Sequence, residues 1–552
     1  MSKGVNMKRL IIISGLSVLS CSYSWALELN FCGRETRIPT GRIHRKERPL
    51  SVSLRSQFYD RSISGDVVRS LGEERPHYQN LVGISYRRAF GRNFLKFRAD
   101  LRNSDDPMLQ KGKLELLGFD LTFGRERGYR FKVGDVYLRG GRYTFRRSAR
   151  GISYSHNLRV TGGRLKLQAG YGRLYEGIEG IRFARFLSAG GLGWERRVGK
   201  FLVKGLKLDF GYARTWDDEG SIEHREGLGA SKNGVFSIGA EVRFDYDLNL
   251  KLELARSWFR DGFTGEVKDK AISLGLEKGF SFGNLRASFE EVGPKFRSLS
   301  GSGFPDTRRM SAYMNARLGR KVTLFGGFNF YRNNLDGRKD VTTEALSQNI
   351  SANYRPLRML WFSSNINWNS HRAGDDLNRW TLGQNHRISA QVKGWNMSVA
   401  YRHHMTEDKL ADDRRGGGLR LSASHPNLVG RVVGRFLKGK PFRGGIALYW
   451  DTRKDGLKGE TANRWTSIGF NSSGTVGKMS YSGGVGWEKA KLSGGESDYR
   501  EFTWNISLSY VLVVLQQSFE FGVMLDGSNN RDAAPDKSYS ELATRVQIHT
   551  LF

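Results

Sequence analysis

From residue 51 to the last residue, apolar and polar side chains alternate in short runs. In residues 95–102, Leu95, Phe97, Ala99 and Leu101 take turns with Lys96, Arg98, Asp100 and Arg102. In residues 164–171, Leu165, Leu167, Ala169 and Tyr171 alternate with Arg164, Lys166, Gln168 and Gly170. Residues 206–212 repeat the pattern, and so do residues 502–510, where Phe502, Trp504, Ile506, Leu508 and Tyr510 oppose Thr503, Asn505, Ser507 and Ser509. A strand has a side-chain period of two, so each run predicts a β-strand with one apolar and one polar face. Residues 240–254 predict a hairpin. Ala240, Val242 and Phe244 lead into Asp245, Tyr246 and Asp247, and Leu248, Leu250, Leu252 and Leu254 lead out.

Charged or glycine-rich segments separate these runs and read as external loops, among them residues 217–231, 292–306, 333–343, 407–418, 451–462 and 528–537. Counting runs from residue 51 gives roughly 24 strands, between 22 and 26, within the range of single-chain transmembrane barrels. So many half-apolar strands in a soluble protein would divide into several sandwich domains with linkers between them. No linker interrupts the pattern. One closed antiparallel sheet in lipid accommodates it, because closure satisfies every backbone hydrogen bond and leaves no edge. The expectation is an all-β chain forming a single large closed transmembrane β-barrel over residues 51–552. Tyr86, Tyr171, Tyr212, Trp216, Trp258, Tyr331 and Trp504, near strand ends, are expected in its interfacial girdles.

The front end reads differently. Residues 1–26 form a secretory signal peptide: Lys8 and Arg9 precede an apolar core at residues 10–19, and Ser24 and Ala26 supply the small residues of a cleavage site. Cys21 raises lipoprotein processing as the alternative, with Leu19 a poor fit beside it. Residues 27–50 form a basic periplasmic segment, with Arg34, Arg37, Arg42, Arg45, Lys46 and Arg48. Two cysteines, one of them in the signal peptide, leave Cys32 without an internal partner. Glycine at 68 residues, proline at 10 and aromatics at 12% fit many strands joined by tight turns. No run approaches the ~20 apolar residues of a membrane helix. The net charge of +34 suggests nucleic acid at first sight, but the cations are spread through alternating strands without a binding motif, so no nucleic-acid partner is expected. No phosphate-binding loop, dinucleotide fingerprint or zinc cluster occurs, so no cofactor and no enzymatic activity are expected. His403 and His404 are adjacent on one strand and point to opposite faces, a poor pair for a metal.

The final run, residues 541–552, sorts Leu542, Val546, Ile548 and Phe552 from Glu541, Arg545, Gln547 and His549. It resembles the closing strand of Gram-negative outer-membrane β-barrels. That resemblance makes Val546, Ile548 and Phe552 the signal read by the barrel assembly machinery. It also implies a cell outer-membrane location, with lipid and lipopolysaccharide as neighbours.

If the apolar faces meet lipid, the polar faces line the interior. Lys96, Arg98, Arg102, Arg130, Lys132, Arg164, Lys166, Lys207, Arg243 and Lys251 are the candidate pore-lining residues. Cations in a pore favour anions, which points to a porin-like channel for diffusion or export of solutes, with anion preference. The same cations at the rims would instead bind lipopolysaccharide phosphates. A barrel this wide leaves two alternatives open: a sheath around a periplasmic partner (a cytochrome, a polysaccharide or a protein), or a surface structural or adhesin barrel. Gly134 permits a bend, and Asp135 has Arg139, Arg142 and Arg150 within reach for a salt bridge in the wall. This Gly-Asp pair followed by a basic strand is similar to a stretch in fimbrial ushers and other large outer-membrane barrels.

Overall fold

The computed structural model describes residues 50–551 apart from residues 66–76, 106–113, 179–180, 201, 222–228, 263–264, 375–376, 410–412, 434–441, 458–461, 493–497, 515–516 and 533–537. Residues 1–49, with the expected signal peptide and basic segment, and Phe552 of the expected assembly signal lie outside the described residues.

Alternation becomes strand throughout. The first strands are β1 (Leu50–Gly65), β2 (His77–Phe90), β3 (Asn93–Ser104), β4 (Glu115–Arg125), β5 (Tyr129–Arg139) and β6 (Arg146–Val160). Next come β7 (Gly163–Ile178), β8 (Ile181–Lys200), β9 (Val203–Asp217), β10 (Lys232–Phe244), β11 (Leu248–Arg260), β12 (Val267–Phe280) and β13 (Gly283–Val292). They are followed by β14 (Thr307–Leu318), β15 (Val322–Asn333), β16 (Thr343–Leu357), β17 (Leu360–Ala373), β18 (Leu377–Val392), β19 (Trp395–Asp408) and β20 (Arg414–His425). The last are β21 (Phe442–Leu457), β22 (Asn463–Val476), β23 (Met479–Lys491), β24 (Tyr499–Val514), β25 (Gln517–Asp532) and β26 (Tyr539–Leu551).

Each strand pairs antiparallel with the next, and β26 pairs back onto β1 from Ser53↔Leu551 to Gly65↔Tyr539. The sheet is therefore a closed barrel of 26 strands. Strands about 4.8 Å apart and tilted by about 40° give 26 of them a diameter of roughly 50 Å between opposite backbones. Among the described residues no helix is long and apolar enough to cross a membrane.

Turns on one side are tight. Tyr246 and Asp247, with φ of 60° and 54°, make the expected β10–β11 turn. Most of the longer connections lie on the other side; the exception is residues 426–441 between β20 and β21, which include a short helix, Leu428–Val433. The outer face is apolar: Phe58, Phe131, Tyr171, Leu254, Ile350, Ile468, Ile506 and Val546 all stay exposed. Tyr171, Phe186 and Trp216 stack on it, as do Tyr212 and Trp258. Tyr331 departs from the expected girdle. It shares a register position with Arg309, on the inner face, and Arg309 packs against its ring.

Candidate functional site

The interior is organised by a break in the wall at Gly134. The β4–β5 ladder ends at Asp120↔Gly134, and the β6–β7 ladder ends at Arg150↔Arg173. The β5–β6 ladder alone continues, to Arg139↔Arg146. Residues 135–149 thus leave the wall as a two-stranded flap. Gly134 has φ +105°, which L side chains rarely adopt, and a Cβ there would stand 2.2 Å from the Phe119 carbonyl oxygen.

Asp135 repairs the torn ladder. Its carboxylate accepts from the Phe119 backbone N–H at 2.7 Å, where the next strand would have bonded, and from Arg150 Nε at 3.1 Å. A charged acceptor in place of a neutral carbonyl strengthens such a bond. Of the three arginines expected near Asp135, Arg150 is its ion-pair partner. Arg142 instead donates to Glu290 at 2.8 Å, because it sits at the flap's tip rather than at its hinge.

The flap's contacts come from many strands at once, which only the concave side of a closed sheet can supply. Val136, Leu138, Phe145 and Ala149 pack on Leu174 of β7, Leu187 and Ala189 of β8, and Ala213 of β9. Burying each large side chain contributes about 1.5–3 kcal/mol. The wall is kept thin beneath: a Cβ at Gly170 would lie 2.3 Å from Leu138.

At the tip, Glu253 of β11 accepts from the backbone N–H groups of Arg142 (3.0 Å) and Tyr143 (3.2 Å). The fully buried Tyr143 donates through its hydroxyl to Glu290 of β13 at 3.0 Å. Thr144 Oγ1 lies 3.5 Å from Ser237 Oγ of β10. Burial, with the Glu290 carboxylate beside it, pushes the Tyr143 hydroxyl above the usual phenol range, so it stays a donor at any physiological pH.

Residues 293–306 hold the flap from the other side. Read from the sequence as part of an external loop, this segment turns inward. Phe296 packs edge-on against Tyr143 at 5.7 Å. Ser298 and Ser300 donate to the Tyr143 and Thr144 carbonyls, each at 2.6 Å, and Arg146 N–H reaches the Ser300 carbonyl at 2.8 Å. The buried Asn233 pins the segment to the wall, donating to the Arg297 carbonyl (2.9 Å) and accepting from Leu299 N–H (2.9 Å). The segment looked external because it is polar, but its hydroxyls bond backbone carbonyls rather than water.

Register places Lys96, Arg98, Arg102, Arg130, Lys132, Arg164, Lys166, Lys207, Arg243 and Lys251 on the face opposite the exposed apolar side chains. Many of them meet acids. Arg98 pairs with Asp100 (2.8 Å), Arg102 with Glu115 (2.7 Å), Lys132 with Asp120 (3.9 Å), Arg243 with Glu241 (3.0 Å), Lys251 with Glu277 (3.3 Å), and Lys207 with Asp209. Lys96, Arg164 and Lys166 make no ion pair among the described residues.

Further round the wall, β16 (residues 343–353) and β17 (residues 361–373) present a neutral inner face, bordered on β18 by inward Arg387. Asn349, Asn365, Asn367, Ser351 and Ser363 face inward, and Asn367 bonds to both Asn349 and Asn365. Beyond them come Arg402–Asp451 (3.3 Å), His404–Asp455 (3.2 Å) and Arg453–Glu488 (3.3 Å). His404 faces inward and His403 outward. Among the described residues no cluster of three His, Cys, Asp or Glu side chains is disposed to hold a metal ion.

No protein-family model matches the chain, and no curated protein sequence does. Solved structures show a distant likeness. The siderophore receptor PirA from Pseudomonas aeruginosa is 12% identical, with a TM-score of 0.36 over 92% of this chain and 81% of that one. The translocation pore of the P pilus usher PapC is 9% identical, with a TM-score of 0.37 over 91% and 99%. Pseudomonas aeruginosa OpdO is 12% identical, with a TM-score of 0.28 over 66% and 97%. These neighbours are Gram-negative outer-membrane β-barrels, and the fold described above rests on this chain's own strand pairing.

Proposed function

We propose that this chain is an outer-membrane channel with a wide aqueous lumen, carrying a fixed flap on one side. The observation that supports it most is the closed sheet with apolar side chains outside and a charged, hydrogen-bonded interior. Magnitude argues against reading the flap as a plug. A two-stranded flap about 10 Å thick takes roughly a fifth of a cross-section about 40 Å wide once wall side chains are allowed for. Replacing residues 136–149 by a short turn is expected to raise single-channel conductance in a planar bilayer by that order.

The lining supports mild anion preference. Six of the ten candidate cations are paired with acids, so the surplus rests on the other four, Lys96, Arg130, Arg164 and Lys166. A reversal potential indicating cation preference in a salt gradient would refute the selectivity and leave the channel intact. Location is tested separately: deleting Phe552 should impair outer-membrane insertion, and normal assembly of the shortened chain would count against it.

A second reading, a sheath around a periplasmic partner, draws on the same width. A stoichiometric partner co-purifying with the barrel, together with conductance that appears only after its removal, would favour the sheath.

A further inference from the structure

We propose that the outward rim of β9–β12 binds the head of an outer-leaflet lipid that carries more than one phosphate, as lipopolysaccharide does. Register decides which side chains reach that rim. Ala255 and Ala271 are buried with Tyr143 and Phe296 inside the barrel, so their even-numbered neighbours on these strands face outward. The outward positions are apolar in mid-strand, at Phe210, Ile238, Leu254 and Ile272. Toward the long-connection end they turn cationic, at Arg214, Lys232, Arg256, Arg260, Lys268 and Lys270, all exposed. No Asp or Glu occupies an outward position on the four strands. Lys232 lies directly across from Arg260, and Arg256 directly across from Lys270. Like charges directly opposite on neighbouring strands destabilise a sheet, and a bridging anion would relieve both pairs. Glu219 comes within 3.9 Å of Lys232, and Glu266 pairs with Lys268 at 2.7 Å. Arg214, Arg256, Arg260 and Lys270 make no ion pair among the described residues. Trp258 stands among these cations, stacked on Tyr212 at 6.0 Å and laid over Gly234, where a Cβ would come within 2.3 Å of its ring. Aromatic rings on the outer face sit at headgroup depth.

Depth and contrast both point to a lipid head. On β12, Lys270 and Lys278 bracket outward Ile272, Leu274 and Leu276. Eight residues at about 3.4 Å each, tilted by about 40°, separate the two lysines by roughly 21 Å, close to the ~25 Å apolar band of such barrels. Lys278 is satisfied within the protein, donating to the Tyr246 carbonyl and lying 5.7 Å from the centre of the Phe280 ring. Lys270 has no such contact among the described residues. The next stretch of the same rim, on β13–β16, neutralises itself: outward Glu291 pairs with Arg308 at 2.8 Å, and Arg332 with Glu344 at 3.6 Å. One stretch carries its own counter-charge, and its neighbour leaves that to something outside the chain. The two opposed pairs spread over three strands, about 10 Å across, so each can hold its own phosphate. The guanidinium forks of Arg256 and Arg260 suit phosphate oxygens, while Leu254 and Ile238 below them suit acyl chains.

This inference rests on the outer face meeting lipid, and the test separates the two. The full-length barrel in detergent is examined by native mass spectrometry with bisphosphorylated lipid A, phosphatidylglycerol or inorganic phosphate added. In parallel, a benzophenone side chain at Leu254 is irradiated in vesicles of phosphatidylglycerol and lipid A. Expected results are retention of lipid A roughly tenfold tighter than of phosphatidylglycerol, loss of that preference in the Arg256→Gln/Lys270→Gln variant, no loss in Arg308→Gln, and lipid cross-linking at Leu254. If the double variant does not fold, Arg256→Gln alone should weaken the preference about threefold. Equal retention of both lipids, a preference that survives in the Arg256 variants, or the same loss in Arg308→Gln overturns the site. Complete displacement of lipid A by inorganic phosphate would make it a soluble-anion site and overturn the lipid assignment. No cross-linking at Leu254 would refute the membrane reading itself.

Discussion

The inner faces of β10–β13 and of β16–β17 are built from the same kind of alternating strand yet do opposite things. On β10–β13, inward Ser237, Glu253 and Glu290 are spent on one internal guest, the flap tip with Tyr143 at its centre. On β16–β17, inward Asn349, Asn365 and Asn367 bond to one another and, among the described residues, to nothing that crosses the lumen. The first wall buries carboxylates and satisfies them with charged or backbone donors. The second keeps neutral amides half exposed. An inner barrel face can thus be a docking surface or a wetted wall, and its charge decides which. Burying an unpaired carboxylate is costly, so inward acids whose donors come from outside the wall, as with Glu253 and Glu290, mark the place where a guest is held.

Perturbing the two walls should separate them. The largest effect is expected for Glu253→Ala, which strips the acceptor from two backbone donors at the flap tip. It should cost about 3 kcal/mol in guanidinium unfolding of the detergent-solubilised barrel, given about 1.5–3 kcal/mol for each bond to a charged group. Tyr143→Phe removes one hydroxyl from Glu290 and should cost about 1.5 kcal/mol in the same measurement. On the other wall, Asn367→Ala should change stability by less than about 0.5 kcal/mol, as a wetted position allows. Thiol labelling sharpens the contrast. In a background without native cysteines, Asn367→Cys should react readily with a water-soluble maleimide, while Ser237→Cys, under the flap, should be protected until the flap is deleted. Equal labelling of both would erase the distinction.

The smallest expected effect concerns the loops above the flap. Burial alone would raise the Asp306 carboxyl, but the Lys339 hydrogen bond, the Leu335 backbone N–H and the Lys339 charge together hold it below the usual aspartate range. A depressed carboxylate stabilises above its unfolded pKa, and that stability is lost as pH falls through the folded value. The contact should therefore survive to pH below 4 and fail only under stronger acid, with Asp306→Asn abolishing that acid step in a pH-dependent unfolding series.

Much of this was legible in the chain. Strand existence, the Asp245–Tyr246–Asp247 turn and the inward parity of Lys96, Arg164 and Lys251 follow from a period of two. The flap was not read, although it leaves a trace. Tyr129, Phe131 and Val133 are apolar outward residues, but beyond Gly134 the apolar residues Val136 and Leu138 occupy inward parity and Asp135 and Arg139 the outward one. The two faces exchange character at the hinge. On β6 the same exchange separates Ile152 and Tyr154 from Arg150 and Arg146. Strand periodicity counts alternation and is blind to which face is which, so the reversal passed as one more alternating run. The residues that receive the flap lie more than a hundred positions away in Glu253 and Glu290, and no local pattern links them to Tyr143.

The seam between β1 and β26 carries a consequence for how the molecule comes to exist. On the edge of β1 that faces away from β2, residues 53–65 find their partners in residues 539–551. Every other ladder joins neighbours in sequence, so the sheet can zip progressively from hairpins, whereas this last ladder closes a loop of nearly the whole chain. Contacts of such separation are the slow ones. Until it forms, β1 and β26 are both open templates for any strand that meets them. A kinetic window of vulnerability, set by loop closure rather than by strand stability, is therefore written into the topology.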